Sequence, residues 1–247
     1  MVTKPQAEPS FEPDRLRSRG GLYGHVVETL GQEITGGRMP AHQIVFAEQL
    51  SERFGISRSV VRESVRTLSS MGLLEARPQV GTRVLPIEHW DLLNPRIIEW
   101  RGLGPDATAQ QRELIELRLG LEPMAARFAA ERMDHDAAQG IVAAAQAMRS
   151  ALEAKDTFRF FAADSTFHRL LLEGSQNLLL SKFAATIDAG LHVRENMPTT
   201  QLSLEAVELH AELAQAIVDR NGDAAAALAT RILEQTLLEF EEGLAQV

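Results

Sequence analysis

Apolar residues in the first third of the chain recur at helical spacing in short blocks. Wound at roughly 100° per position, Leu22, Val26, Val27, Leu30 and Ile34 share one face, and Gly36-Gly37 ends the run. A second short helix is expected over 47–54, with Gly55 suited to the tight turn after it. A third runs over 57–71. Its Val60, Val61, Val65, Leu68 and Met71 fall on one side, and Arg58, Ser59, Arg62, Glu63, Arg66 and Thr67 fall on the other. Ser57 suits the N-cap, because its hydroxyl can accept a bond from an otherwise unpaired first-turn N–H. Beyond Gly72 the spacing becomes extended. Residues 73–76 and 82–85 read as two short strands around a turn at 77–81.

From residue 106 onward no extended pattern survives. Helices are expected at about 107–132, 134–154, 156–173, 176–196, 203–220 and 223–244, with Gly174, Pro198 and Asn221-Gly222 as the clearest breaks. Alanine-rich faces such as Ala125-Ala126 and Ala129-Ala130 allow close helix packing, and the product is an all-α bundle of six or seven helices. Residues 1–21 show no apolar period and read as a flexible tail. Residues 87–105 read as a connector carrying both tryptophans, Trp90 and Trp100, as a wedge between domains. The fold class is therefore mainly α: three helices with a two-stranded wing over 22–86 and an all-α bundle over 106–247.

Composition narrows the class. No apolar run approaches the ~20 residues of a membrane span, and no signal-peptide core is visible at the start. Zero cysteines exclude disulfides and thiolate chemistry, which fits a cytoplasmic protein. The net charge of −9 argues at first against nucleic acid. Its distribution reverses that: up to Pro86 there are 11 Lys and Arg against 9 Asp and Glu, and beyond it 14 against 25. A mildly basic module with its arginines on one helix face can meet phosphates, while an acidic module stays off them.

Two helices joined at a short turn, the second carrying arginines at i, i+4 and i+8 over a dry back face, form a helix-turn-helix. In that motif the second helix enters the major groove. Taken alone, the stripe could equally be a solvated face; the basic-tipped hairpin that follows makes a winged version. The stretch GISRSVVRESVRTLSSMGLLE resembles the N-terminal domain of GntR-family transcription regulators, over about 22–86. The chain departs from the family at Ala41-His42, a turn, and at Glu48, where some fatty-acid-responsive members have a base-contacting arginine. The resemblance implies a homodimer on a palindromic double-stranded operator. The candidate DNA contacts are Ser57, Arg58, Ser59, Arg62 and Arg66 on the reader helix and Arg77, Gly81 and Arg83 on the wing.

In the helical region, Asp164 and His168 stand at i and i+4, so both project from one helix face. Carboxylate oxygen and imidazole nitrogen suit a borderline divalent ion; a plain Asp–His hydrogen bond is the bland alternative. His210 stands near the start of a later helix, and Arg118 could either pair with Glu122 four residues on or present a fork to a ligand carboxylate. Glu116-Leu117-Arg118, Asp164-Ser165-Thr166-Phe167-His168 and Leu209-His210 together resemble the FCD effector domain of the FadR-type branch, over about 112–238. That likeness implies a divalent metal, most simply zinc, on Asp164, His168 and His210, beside an effector carboxylate on Arg118. The family's last histidine is missing; Glu234 is the substitute fourth ligand, with His192 behind it. The connector tryptophans and the spacing after His210 look more like members that sense sugar acids. A metal-dependent hydrolase using Asp164, His168 and His210 is the rival reading, but it leaves the arginine-bearing helix unexplained.

Overall fold

Helix α1 (Gly21–Thr35) buries Val26, Val27, Leu30 and Ile34, while Leu22 at its start stays 45% exposed. The computed structural model describes residues 21–77, 79–197 and 202–245. The expected tail, all but residue 21, therefore lies outside the described residues, as do Pro78 in the wing turn and the break at Pro198. The chain divides into two compact units between Asp91 and Leu92.

In the first unit α1 packs on α3 (Arg58–Ser70), with α2 (Ala47–Phe54) between them in sequence. The Tyr23 hydroxyl bonds the Thr67 hydroxyl at 2.6 Å. Ser57 caps α3 by accepting from the Val60 N–H, and Gly55 takes the left-handed conformation at φ 62° that ends α2. Val61, Val65 and Leu68 are buried beneath α3, each contributing about 1.5–3 kcal/mol relative to exposure. Behind the reader helix, β2 (Leu74–Arg77) and β3 (Gly81–Val84) form the hairpin, one residue shifted from the expected strands.

A third strand, β1 (Ile44–Val45), was not expected, because two residues are too few to show a period. It pairs antiparallel with β3, Ile44 opposite Arg83 and Val45 opposite Thr82, giving the order β1-β3-β2. Gly81 sits where the strands meet. Its φ is 113°, and a Cβ there would come 3.1 Å from the Val45 carbonyl oxygen, so the backbone itself requires glycine.

In the second unit α4 (Pro95–Arg101) is capped by the Asn94 side chain and buries Trp100. Trp90 belongs to the first unit, where its indole N–H donates to the Leu85 carbonyl at 2.9 Å. The bundle continues with α5 (Ala107–Arg132), α6 (His135–Glu153), α7 (Thr157–Gly174), α8 (Leu178–Ser181), α9 (Ala184–Glu195), α10 (Leu204–Val218) and α11 (Gly222–Ala245). The single helix expected over 176–196 is two, α8 and α9, with Lys182 and Phe183 between them. Alanines 126, 129, 130, 138, 144 and 145 join Phe161, Phe167, Leu171 and Leu213 in the main core, so α5, α6, α7 and α10 approach closely. No described helix is long and apolar enough to cross a membrane.

Candidate DNA-reading face and metal-effector site

The solvent side of α3 carries Arg58, Ser59, Arg62, Glu63 and Arg66, all exposed, with the capping Ser57 at its tip. The apolar side anchors the helix, so these side chains project from a fixed axis. Arg58 lies 3.5 Å from Glu48 on α2, an exposed pair. Glu48 therefore stands beside the tip of the reader helix. On the wing, Arg77 and Arg83 each contact the same Glu75 oxygen at 2.9 Å. The Arg77 hydrogen bond is the leading cause of the Glu75 carboxyl lying below its ordinary range, with Arg83 adding to it. Gly81 is part of the wing by backbone need, as described above.

The second cluster is internal. Asp164 and His168 come from α7, His210 from α10, and Arg118 and Glu122 from α5; all five are buried. Ligand atoms of Asp164, His168 and His210 lie within 4.8 Å of one another. Hydrogen bonding fixes the state of both rings. His210 Nδ1 lies 2.6 Å from the Ala206 carbonyl, which can only accept, so the proton sits on Nδ1 and Nε2 keeps its lone pair. His168 Nε2 lies 2.8 Å from Arg118 Nη2. A guanidinium can only donate, so this nitrogen too presents a lone pair. His168 Nδ1 then carries the ring proton and faces Glu122 Oε2 at 2.7 Å, off the hydrogen-bond axis.

The two Nε2 atoms stand 3.4 Å apart, each 3.3 Å from Asp164 Oδ1. Two imidazole nitrogens and a carboxylate converge, a donor set that suits a divalent cation. The outer partners, Glu122 and the Ala206 carbonyl, orient the rings as outer groups orient metal-bound histidines. The residues present therefore fit a divalent ion with three protein ligands.

The charges are strongly coupled. Burial opposes ionisation of Glu122, but Arg118 and His168 outweigh it and hold the carboxyl at about 2. Burial likewise opposes the charge on Asp164, and His168 and His210 hold it well below its usual range. Burial and the Arg118 charge push the His168 imidazole down, and Glu122 and Asp164 raise it overall. The geometry decides against a proton on Nε2, because the guanidinium 2.8 Å away can only donate. Arg194 on α9 feels the same field: burial lowers its pKa, and Asp164, Arg118 and Glu239 are the charges it senses.

Of the expected ligands, Glu234 does not join the cluster. It is exposed, because Ile232, Leu233 and Thr236 form the buried face of α11 and Glu234 points off it. It lines a surface crevice with Ser203, Glu205, Arg231 and Glu242. His192 is also exposed, beside Asp188 at 3.5 Å. Arg118 does pair with Glu122, its Nε 2.7 Å from Oε1, and reaches His168 as well. Spacing along the chain marks Glu122 only as a partner for Arg118, four residues before it. Its contact with His168 depends on how α5 packs against α7, and no spacing along the chain carries that.

Residues 22–84 match the model of the bacterial regulatory proteins of the gntR family, and residues 113–235 match the FCD domain. An HTH-type transcriptional regulator of Mycobacterium tuberculosis, Rv0494, is 30% identical over 76% of this chain and 74% of its own length. The chain belongs to the GntR family. It combines that family's helix-turn-helix with a C-terminal FCD domain and is a DNA-binding transcription regulator, not an enzyme, so the hydrolase reading falls. The galactonate operon transcriptional repressor of Escherichia coli is 26% identical over 88% of this chain and 96% of its own length. A solved GntR protein of Streptococcus agalactiae shares the fold, with 24% identity, a TM-score of 0.51, and coverage of 87% and 99%. Within this GntR chain, the first match spans the α3 arginines and the wing, and the second spans Arg118, Asp164, His168 and His210.

Proposed function

We propose that this GntR protein is a homodimeric cytoplasmic repressor of a catabolic operon. It binds a palindromic operator, and a small carboxylate, a sugar acid or related organic acid, releases it. The DNA contacts are Ser57, Arg58, Ser59, Arg62 and Arg66 with the wing residues Arg77, Gly81 and Arg83. The effector meets Arg118, beside a divalent ion, zinc in the simplest case, on Asp164, His168 and His210. The observation that carries the effector reading is the convergence of two imidazole lone pairs and the Asp164 carboxylate beside a buried arginine. The similarity to a galactonate operon repressor supports a sugar acid as the ligand class.

When bound, the metal supplies a fixed positive charge that attracts an anionic ligand with neighbouring hydroxyls. The protein does the rest. The Ala206 carbonyl holds His210 in the tautomer that keeps the Nε2 lone pair, and the donation from Arg118 marks the same lone pair on His168. Arg118 offers a planar fork that keeps its charge when buried, which suits a carboxylate better than a lysine would. Release of DNA follows by linkage: the ligand must bind the DNA-free conformation more tightly than the DNA-bound one.

The test is release of DNA from the region upstream of the protein's own gene, titrated with sugar acids. Wild type should release with one acid or a close set of them. Arg118→Lys retains charge but loses the fork and should need about tenfold more effector or beyond, with unliganded DNA affinity unchanged. Identical release midpoints would remove Arg118 from the ligand site.

A further inference from the structure

His168 Nε2 has one lone pair, and Arg118 Nη2 already donates to it at 2.8 Å. A metal held by Asp164, His168 and His210 must take that same lone pair. Both claimants are cations, and both would sit among side chains that are at most 4% exposed, where like charges repel strongly. Resting on the metal reading above, we propose that Arg118 and the divalent ion are mutually exclusive partners of His168 Nε2. Arg118 is then the site's internal cation, parked against His168 until metal displaces it.

The geometry also says what displacement leaves behind. Arg118 is held at two points, Nε on Glu122 Oε1 at 2.7 Å and Nη2 on His168. Loss of the second contact leaves the first, so the guanidinium stays tethered in the site with its Nη donors free. Those donors are what a carboxylate needs. Metal loading therefore prepares the effector's anchor, and metal and carboxylate bind with positive coupling. Without metal, a carboxylate has to break the Arg118–His168 bond itself. Glu122 serves both states as a positioning residue: it faces His168 Nδ1 at 2.7 Å and retains Arg118.

The consequence runs against the usual expectation that mutating a site residue weakens the site. Removing the competitor should tighten metal binding. In full-length protein, zinc affinity measured by competition with a chromophoric chelator should rise about tenfold or more in Arg118→Met and Arg118→Gln, the scale on which neighbours of metal ligands act. Equal or weaker zinc binding in folded variants overturns the proposal while leaving the metal site standing. No zinc binding by wild type overturns both. A wild-type readout removes dependence on the variants: the Arg118 side-chain Nε–H resonance should move as zinc is added and stop moving at one equivalent. An unmoved Arg118 resonance at saturating zinc contradicts the exclusion.

Discussion

Glu75 and Glu122 are the same device in two settings. Each is a carboxylate shared by two basic side chains, Arg77 and Arg83 for Glu75, Arg118 and His168 for Glu122. Glu75 lies on the wing with its side chain 43% exposed, and Glu122 lies in the bundle at 1%. On the wing, water and salt compete for every partner, so the pairing is weak and the arginines stay available to phosphate. In the bundle nothing competes, and each charge depends on the others. The proposed DNA contacts need the first condition; the proposed metal and effector site gains from the second.

The largest contrast is in stability. Glu122→Ala leaves Arg118 buried without its carboxylate and should cost about 3–5 kcal/mol in denaturant unfolding, the usual effect of breaking a buried pair. Glu75→Ala should leave the unfolding midpoint unchanged. Equal losses in the two variants would erase the distinction.

Next comes the reader helix. Arg62→Ala should weaken specific operator binding by about 1–3 kcal/mol, the value of one bidentate arginine–base contact, with no change in unfolding. Unchanged operator affinity at fixed salt would move the reading face elsewhere. Glu75→Gln should act in the opposite direction. It releases Arg77 and Arg83, so DNA affinity should rise a few-fold at low salt, and the gain should fade as salt is raised. A loss of affinity would mean that Glu75 positions the wing arginines for contact.

The smallest effect is a pH dependence in the first unit. Glu33 is bonded to Arg53 across α1 and α2, and that bond is the leading cause of its carboxyl lying below its ordinary value of 4.5. A depressed folded-state pKa adds stability above the unfolded value and loses it as pH falls through the folded one. Comparing wild type with Arg53→Met, the difference should be at most about 1 kcal/mol at neutral pH, since Arg53 is half exposed, and should vanish below the carboxylate range. A difference that persisted at low pH would assign Arg53 a packing role instead.

Legibility in the sequence follows the same division. The winged domain was readable because its signals are local: apolar spacing, Ser57 at the cap, glycines at turns, arginines at i, i+4 and i+8. What escaped there was β1, whose two residues show a strand only once β3 lies beside them. The α7 pair Asp164 and His168 was readable for the same local reason. The site around it draws on α5, α7 and α10, and packing alone brings these together. So the sequence shows Glu122 as Arg118's neighbour but not as His168's, and no local signal marks Arg194. Glu234 fills a gap in the motif along the sequence, but the helical period of α11 turns it to solvent.

The central claim is that the buried cluster in one unit governs DNA affinity in the other through a bound metal. The most direct measurement is fluorescence anisotropy of labelled DNA from upstream of the gene, titrated with the releasing acid before and after chelation of metal from the full-length protein. Chelation should leave the unliganded complex intact and raise the effector concentration needed for release by about tenfold or more, with added zinc restoring it. Release midpoints that do not change when metal is removed would contradict the account.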